Sequence, residues 1–407
     1  MKSKWSILCF LCGTFVVYTI DRAAIGILAI PIQKDLGISD IQFGVLNAAI
    51  FWTYAAIVPI AGIIGDRFNR AKLIAIASTT WSLMMILAGF ATGFYSLLLI
   101  ASVALVIPQT MYGPSANALI ASAHSETRTT ALSCHQASFY TGWFISGAFA
   151  ALVLSCFGSW RSVFFVFGAI GLVVAFAFSI FVWRTGVGNV EARQKGTVTV
   201  TQSLKAFFGC PSALLAGAGY VAVVFVGFGY SAWGPKFVAQ KFGITPAAAG
   251  TGVMFWHYAA AFAAIFTAGL ITDWLVKKWP RFRLALQSGT LLLASPFVLL
   301  FGLGESVMSV WIAAAGFGVM RGLFEANAFT SLFDVVAAEH RASSVGFLNV
   351  IAGTVGSFAP IMLGAMSERH GIDGLSGGFV ILSGVLALGA VMLLVSLFFT
   401  FNRDRLK

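Results

Sequence analysis

The stretch Gly62-Ile-Ile-Gly-Asp66-Arg67-Phe-Asn-Arg70-Ala-Lys72 returns in the second half of the chain as Gly269-Leu-Ile-Thr-Asp273-Trp-Leu-Val-Lys277-Lys278. The two aspartates stand 207 residues apart in a chain of 407. Each copy follows a long apolar segment and begins a short basic turn. A repeat of half the chain length, with a charged turn at the same place each time, predicts two copies of a six-helix bundle.

The composition places these bundles in a membrane. Hydrophobic residues make up 59% of the chain and charged residues 10%, with a mean hydropathy of +0.92. Soluble domains carry roughly a quarter charged residues. Apolar runs of about 20 residues recur along the chain, as a helix crossing a hydrocarbon core of about 30 Å requires. The pattern therefore predicts an all-α, polytopic membrane protein, and it gives no indication of an enzyme, a metal site or a cofactor.

Twelve membrane-spanning helices are predicted from the apolar pattern. Their residue ranges are 6–31, 41–64, 72–93, 96–122, 130–156, 161–183, 212–238, 246–271, 283–303, 307–333, 342–366 and 376–401. The only long polar stretch lies between the sixth and seventh ranges. It divides the chain into an N-terminal six-helix bundle (1–184), a cytoplasmic linker (185–206) and a C-terminal six-helix bundle (207–407).

The basic residues orient the chain. Of 25 Lys and Arg, 18 fall on the side that holds both termini and five on the opposite side. Lys and Arg concentrate in cytoplasmic loops, so both termini are expected in the cytoplasm of a bacterial inner-membrane protein. The net charge of +11 is mostly this topology signal, and no nucleic-acid partner is expected. A second repeat, Glu126-Thr-Arg128 and Glu339-His-Arg341, keeps the same register on the inner side.

The loop Gly62-x-x-Gly-Asp66-Arg67-x-Asn69-Arg70 resembles the signature between helices two and three of the major facilitator superfamily. A Gly usually fills the position of Asn69 in that family. The resemblance covers essentially the whole chain, because both halves carry the repeat. It implies twelve helices in two pseudo-symmetric bundles and a function in membrane transport.

A narrower resemblance lies near the N-terminus. Tyr18-Thr-Ile-Asp21-Arg22, Ile32-Gln-Lys-Asp-Leu-Gly-Ile-Ser39 and Phe51-Trp52-Thr-Tyr54 are similar to the anion:cation symporter family of organic-anion carriers. The run Arg321-Gly-Leu-Phe-Glu325-Ala-Asn327 is similar to some bacterial members of that family. The spinster family of lipid transporters shares the Asp-Arg pair and the Gly-Asp-Arg-x-Asn-Arg loop.

Helix four departs from these relatives. Many of them carry an acidic residue before a Pro there, whereas this chain has Gln109 within Val106-Ile-Pro-Gln-Thr-Met-Tyr112-Gly-Pro114. A coupling carboxylate is therefore expected elsewhere.

Only four ionised residues fall well inside the predicted spans: Asp21, Arg22, Arg321 and Glu325. A charge at mid-membrane costs several kcal/mol unless it is paired or faces water, so each implies a function. Helices one and ten belong to the set that lines the central cavity in the superfamily. The resemblance therefore implies that both pairs lie near the substrate.

Arg22 is the first candidate for binding an anion, because its guanidinium fork matches a carboxylate or phosphate. Tyr18 lies one turn earlier on the same face and offers a phenolic donor. The alternative is that Arg22 is locked to a carboxylate. Arg321 is the second candidate, and two such cations would suit a dianion. Glu325, however, lies at the i,i+4 position, and a permanent pair there would leave a preference for a monoanion.

Asp21 and Glu325 are the predicted proton-coupling residues. A buried carboxylate beside an Arg can exchange partners: the substrate takes the Arg and the carboxylate takes a proton. The alternative for Asp21 is that it packs against neighbouring helices and only orients Arg22. Further substrate contacts are expected from Gln109, Tyr230 and Asn349. His135 and His257 are interpreted as packing residues among aromatic side chains.

The loop residues Asp66, Arg67 and Arg70, with Asp273 in the second copy, are predicted to form a conformational latch. In the superfamily such a loop pairs with charges at inner helix ends, and Glu126 and Asp334 are the candidate partners here. The alternative is that the loop only signals topology.

Together these features predict a secondary active transporter that moves a small carboxylate-type organic anion by alternating access, with protons as the coupling ion. Its partners are expected to be the anion, protons and membrane lipid, and the chain is expected to be a monomer. Two alternatives remain open: a spinster-like transporter of lysolipids or other amphipathic lipids, and an organic-anion exchanger without proton coupling.

Overall fold

The computed structural model describes residues 2–124, 127–187, 200–279 and 281–405, and every regular element in these ranges is a helix. The helices of the first half are α1 (Lys2–Ile27), α2 (Ala29–Leu36), α3 (Asp40–Arg67), α4 (Arg70–Ala88), α5 (Phe94–Leu97), α6 (Val106–Ala123), α7 (Arg128–Phe157) and α8 (Trp160–Thr185). A π-helical segment, Leu98–Ala104, joins α5 to α6.

The helices of the second half are α9 (Val200–Phe208), α10 (Pro211–Phe242), α11 (Pro246–Lys278), α12 (Phe282–Leu303), α13 (Val307–Glu325), α14 (Ala328–Phe333), α15 (Arg341–Gly356), α16 (Phe358–Val395) and α17 (Phe401–Asp404). A 3₁₀ turn, Ala338–His340, precedes α15, and a π-helical segment, Ser396–Thr400, precedes α17.

Eleven stretches of the described residues are long and apolar enough to cross a bilayer. The last, Ser343–Asp404, has 62 residues, which as one straight helix would measure about 90 Å, three times the hydrocarbon core. It is broken inside α16 at Gly371, where φ is 59° and ψ is −132°. A left-handed φ is accessible to glycine without strain. The stretch therefore supplies two crossings, and the predicted twelve-span, all-α membrane architecture is confirmed.

The helices group into two compact units. The first comprises Met1–Gln194 with Ile244–Phe255, and the second comprises Lys195–Gly243 with Trp256–Lys407. The core of the first unit is made by α1, α4, α6 and α8. Its buried side chains include Leu11, Trp81, Tyr112, Leu119 and Phe178, all no more than 3% exposed.

The core of the second unit lies where α10, α12 and α16 pack together. The rings of Phe237, Phe301 and Phe379 meet there with centroids 4.9–5.7 Å apart. The indole nitrogen of buried Trp233 donates to the carbonyl oxygen of Pro360 at 2.9 Å. The bond gives both the indole N–H and the Pro360 carbonyl oxygen a partner, which lipid cannot supply.

Part of the predicted linker is helical. The first half ends with α8 at Thr185, and α9 begins at Val200 inside the predicted 185–206 range; residues 188–199 lie outside the described residues. The hydroxyl of Ser203 in α9 lies 3.1 Å from His340 Nδ1. The linker helix is thereby held against the turn that precedes α15.

Asp35 joins three parts of the first unit at the end of α2. Its carboxylate accepts hydrogen bonds from Arg161 and, at 3.1 Å, from the Trp160 indole. Arg161 also donates to the carbonyl oxygen of Ala91 at 2.9 Å. The bond from Arg161, followed by the bond from Trp160, lowers the pKa of Asp35 below its usual value. These contacts connect α2, the start of α8 and the turn after α4.

Candidate functional site

The candidate site of the first unit is built on α1. Thr19 bonds back to the carbonyl oxygens of Phe15 (3.0 Å) and Val16 (2.9 Å), so its polar atom is satisfied within the helix. On the neighbouring helix α7, Gly142 faces this turn. A Cβ on Gly142 would overlap Thr19 Oγ1 and lie 2.8 Å from the Val16 carbonyl oxygen. The absence of a side chain lets α1 and α7 approach closely just before Asp21 and Arg22.

Arg22 lies in a cage of aromatic rings. Its Nη1 donates to the Tyr18 hydroxyl at 3.2 Å. Its guanidinium carbon lies 5.7 Å from the ring centroid of Tyr18, 5.3 Å from that of Phe51 and 5.4 Å from that of Tyr54. Rings at these distances attract a cation through their faces. No carboxylate among the described residues pairs with Arg22. These residues therefore do not form the locked ion pair that was the alternative for Arg22.

Asp21 is enclosed by the protein. It is 2% exposed, and neither carboxyl oxygen has a hydrogen-bond partner among the described residues. Gln109 on α6 is 1% exposed, and its amide oxygen and nitrogen also have no partner there. The sequence predicted that Gln109 contacts substrate. The structure places it on one small cavity together with Asp21 and Arg22.

The π-helical segment Leu98–Ala104 shapes this part of α6. Its last bond runs from the Leu105 amide to the Ile100 carbonyl at 2.9 Å, five residues back. Pro108 follows and has no N–H to continue the ladder. The backbone nitrogen of Gln109 lies 3.4 Å from the Leu105 carbonyl oxygen, which is long for a helix hydrogen bond. Helix four is therefore irregular next to the cavity, as π segments often are at functional sites.

Tyr112 and His135 form a polar contact that the sequence did not predict. The Tyr112 hydroxyl donates to the Leu11 carbonyl oxygen at 2.6 Å and lies 2.8 Å from His135 Nε2. Because the hydroxyl has one proton, Nε2 of His135 must be the donor in the second bond. His135 also stacks on Phe15, with centroids 4.4 Å apart. The histidine is thus held on two sides, and α1, α6 and α7 are joined through it.

Arg321 in the second unit is paired. Its Nε donates to Glu325 Oε1 at 2.7 Å, one turn along α13. Its Nη1 lies 3.3 Å from His257 Nε2 on α11, and its guanidinium carbon lies 5.6 Å from the Tyr258 ring centroid. The Tyr258 hydroxyl lies 3.0 Å from the Ser231 hydroxyl. The predicted i,i+4 pair is therefore formed, and His257 belongs to the same cluster.

Glycines bring α13 against α11 at this cluster. A Cβ on Gly318 would overlap the His257 carbonyl oxygen, and one on Gly322 would overlap that of Ala261. A Cβ on Gly227 of α10 would lie 3.1 Å from Arg321 Nη1. Small residues four apart are a common means of close helix approach in membranes. The Gly318-x-x-x-Gly322 spacing beside Arg321 could have indicated a close helix approach, but not that His257 is the residue met there.

The remaining predicted residues lie as follows. Tyr230 is fully buried, with its ring 4.8 Å from that of His257 and 4.9 Å from that of Phe301, so it packs beneath the Arg321 cluster. Asn349 is exposed on α15 and accepts a bond from the Tyr220 hydroxyl at 3.0 Å.

The predicted latch is described only in part. Arg70 is the first residue of α4, which Asn69 caps by accepting from the Lys72 amide at 3.0 Å. The candidate partner Asp334 accepts from Arg283 at 3.0 and 3.3 Å. Glu126 and the side chains of Asp66, Arg67 and Asp273 lie outside the described residues.

Repeated helical spans with buried ionised side chains define an integral, multi-pass membrane protein. A family model described as Major Facilitator Superfamily matches residues 10–361, and the chain belongs to that superfamily. The resemblance predicted from the Asp66 loop is thereby confirmed.

Two curated relatives represent the two resemblances. The hexuronate transporter of Bacillus subtilis is 22% identical over 402 residues, which cover 94% of this chain and 92% of that protein. Protein spinster homolog 1 of Xenopus tropicalis is 26% identical over 226 residues, covering 54% of this chain and 43% of that protein. The match to the spinster homolog therefore spans less than half of its length.

The fold also has solved counterparts. The crystal structure of a bacterial homologue of the human lysosomal transporter spinster, in an inward-facing and unoccupied conformation, matches with a TM-score of 0.85 at 20% sequence identity. The match covers 100% of this chain and 99% of that chain. At this identity the likeness concerns the fold alone.

Proposed function

We propose that this chain is a secondary active transporter that moves a small organic anion of the carboxylate type across a bacterial inner membrane by alternating access, with protons as the coupling ion. The distribution of Lys and Arg supports a cytoplasmic position for both termini. The similarity of nearly the whole chain to a hexuronate transporter supports the substrate class, since a hexuronate is a sugar carboxylate.

The observation that carries the proposal is the environment of Arg22. A guanidinium has five N–H donors, and among the described residues Arg22 makes one hydrogen bond, from Nη1 to the Tyr18 hydroxyl. The aromatic rings of Phe51 and Tyr54 attract the cation without using those donors. A charge kept in a membrane span without a carboxylate partner is costly. An incoming carboxylate would neutralise this charge and form charge-assisted, bidentate hydrogen bonds with the guanidinium.

Asp21 and Glu325 are the residues we assign to proton coupling. Asp21 is adjacent to Arg22 in α1 yet has no ion pair within the described chain. Glu325 is bound to Arg321, and it can take a proton when an anion competes for that guanidinium. Arg321 and Asn349 complete the proposed substrate contacts in the second unit. Tyr230, whose ring packs against that of His257, is a further proposed substrate contact.

The test is uptake into proteoliposomes. A panel of labelled organic mono- and dicarboxylates is compared with a labelled lysophospholipid, with and without an inward proton gradient. We expect carboxylate uptake that the gradient accelerates and that Arg22→Ala abolishes. Lys34→Ala is the matched control, because it removes a positive charge at an exposed position of α2.

Two outcomes would favour the alternatives. Carboxylate exchange that ignores the proton gradient would identify an exchanger. Lysophospholipid movement without carboxylate uptake would support a lipid transporter. The partial similarity to spinster homolog 1 is the observation that favours this alternative.

A further inference from the structure

A small cavity within the first unit is lined by apolar side chains and by Asp21, Arg22 and Gln109. It has a volume of about 20 Å³. The residues that line it come from α1, α3, α4, the π-helical segment, α6 with its preceding residue, and α8. They are Asp21, Arg22, Ile25, Ile50, Met85, Ala101, Leu105, Val106, Gln109 and Phe164. Asp21 and Gln109 are the buried polar members, at 2% and 1% exposure.

Four polar atoms of Asp21 and Gln109 lack a hydrogen-bond partner among the described residues: both carboxyl oxygens, the amide oxygen and the amide nitrogen. An unsatisfied buried polar group costs about 1–3 kcal/mol, and a charged one costs more. Two such residues on one cavity indicate an occupant. A water needs about 10–15 Å³ and two to four polar partners, and this cavity provides both.

A proton fits the charge of this cavity better than a metal cation does. Ca²⁺ takes about six to eight oxygen ligands, and Mg²⁺ requires octahedral geometry. The lining side chains offer three oxygens, two from Asp21 and one from Gln109, and the positive Arg22 borders the same space. A neutral carboxyl group avoids the cost of an uncompensated buried charge.

We propose that Asp21 and Gln109 form a site for a single proton: Asp21 carries the proton, one water bridges it to the Gln109 amide, and Gln109 positions that water without touching the substrate. This rests on the proposed function and adds that the first unit contributes one proton to each transport cycle. On release, the proton leaves an Asp21 oxygen for the bridging water and passes on to solvent, while the carboxylate keeps the electron pair. The Gln109 amide stays neutral and donates to the water or to the carboxylate.

The groups around the site limit what else can titrate. Of the residues that line the cavity, only Asp21 and Arg22 are ionisable. Tyr18 on α1 and Tyr54 on α3 face Arg22. On α6 and α7, Tyr112 and His135 are bonded to each other. The lining side chains from α4, the π-helical segment and α8 do not ionise.

The transport test uses three variants of the full chain in proteoliposomes. Gln109→Leu keeps the volume but removes the amide, so the site favours the neutral carboxyl group. We expect the external pH at half-maximal uptake to move upward by about one unit, with the KM for the anion at saturating proton concentration unchanged. Gln109→Glu adds a second carboxyl group, and the proton-to-anion ratio is expected to rise by one. Gln287→Leu, which removes a buried amide elsewhere, leaves the pH profile and the ratio unchanged.

A KM effect in Gln109→Leu at every pH, with an unmoved pH profile, would make Gln109 a substrate contact and overturn the proposal. An unchanged proton-to-anion ratio in Gln109→Glu, or uptake driven by a sodium gradient and not by protons, would overturn it as well.

An infrared measurement separates this inference from the proposed function, because it requires no transported substrate. The difference spectrum of the reconstituted protein between acid and alkaline pH is expected to contain the carbonyl stretch of a protonated carboxyl group. The band should vanish in Asp21→Asn and change frequency in Gln109→Leu. If no anion is transported but the band behaves in this way, only the proposed function fails. If anions are transported and the band persists in Asp21→Asn, only the single-proton site fails.

Discussion

Arg22 and Arg321 carry the same charge in different surroundings. Arg22 has aromatic faces and one phenol around it, whereas Arg321 has a carboxylate at 2.7 Å and an imidazole at 3.3 Å. An ion pair in a membrane neutralises the buried charge but occupies the donors that a substrate would use. We therefore assign the primary anion contact to Arg22 and treat Arg321 as available only when Glu325 releases it.

Arg22→Lys tests whether the shape of the guanidinium matters in addition to its charge. Lysine keeps the cation but loses the planar fork and the stacking on Tyr18, Phe51 and Tyr54. Loss of one charge-assisted hydrogen bond is worth about 1.5–3 kcal/mol, so we expect the KM for the anion to rise about 10-fold or more. Uptake kinetics in proteoliposomes measure this, with Arg161→Lys, in the contact between α8 and Asp35 of α2, as the comparison. An unchanged KM would mean that only net charge is read at this position.

The pair in α13 is tested by a double-mutant cycle. Glu325→Gln leaves the Arg321 charge without its carboxylate, and truncating one partner of a buried charge pair costs about 2–5 kcal/mol. We expect a lower midpoint of thermal unfolding in detergent for Glu325→Gln, and a partial recovery when Arg321→Met is added. Glu305→Gln, at an exposed loop position, should leave the midpoint unchanged. Additive losses in the double variant would indicate that the two residues do not depend on each other.

At the scale of the helices, the sequence predicted which elements carry charge but not how they cross. Ionised residues are rare in apolar spans, so the sequence identified Asp21, Arg22, Arg321 and Glu325. The i,i+4 spacing of the last two predicted that they pair. The contact of His257 with Arg321 depends on the crossing of α11 and α13 at Gly318 and Gly322, which no local pattern specifies.

Burial depends on the tertiary structure in the same way. A Tyr or a Gln in a span looks equally polar whether it faces a cavity or the interior. The sequence predicted Tyr230 and Gln109 as substrate contacts but could not show that both side chains are buried in this structure. The break at Gly371, in contrast, falls between the predicted spans 342–366 and 376–401, where Glu368, Arg369 and Asp373 interrupt the apolar run.

The close approach of α1 and α7 predicts the effect of one methyl group. In Gly142→Ala the added Cβ would meet Thr19 and Val16, whose positions fix the turn before Asp21. Overpacking costs about 1–3 kcal/mol, so we expect a lower unfolding midpoint together with reduced uptake. Gly13→Ala on α1 is the control, because nothing lies within 4 Å of its added Cβ; it should be neutral or slightly stabilising, as Gly to Ala in a helix usually is. Equal effects of the two changes would contradict the close packing at Gly142.

At the scale of the whole molecule, the distribution of positive charge predicts the orientation in the membrane. The side of the termini holds 18 of the 25 Lys and Arg, and positively charged loops stay in the cytoplasm. Green fluorescent protein fused after Lys407 is therefore expected to fluoresce in a bacterial host. Cys156, which is exposed near the end of α7, serves as a labelling site for the opposite face.

A variant that retains only Cys156 checks the outer face directly. The other cysteines are replaced in it by Cys9→Ser, Cys12→Ser, Cys134→Ser and Cys210→Ser. We expect a membrane-impermeant maleimide added to intact spheroplasts to label Cys156, because the predicted outer turn after the fifth span begins beside it. The variant that also carries Cys156→Ser should take no label. Labelling of Cys156 only after the membrane is permeabilised, together with a dark C-terminal fusion, would reverse the orientation. It would then place the basic loops, and the predicted latch around Arg70, on the outer face.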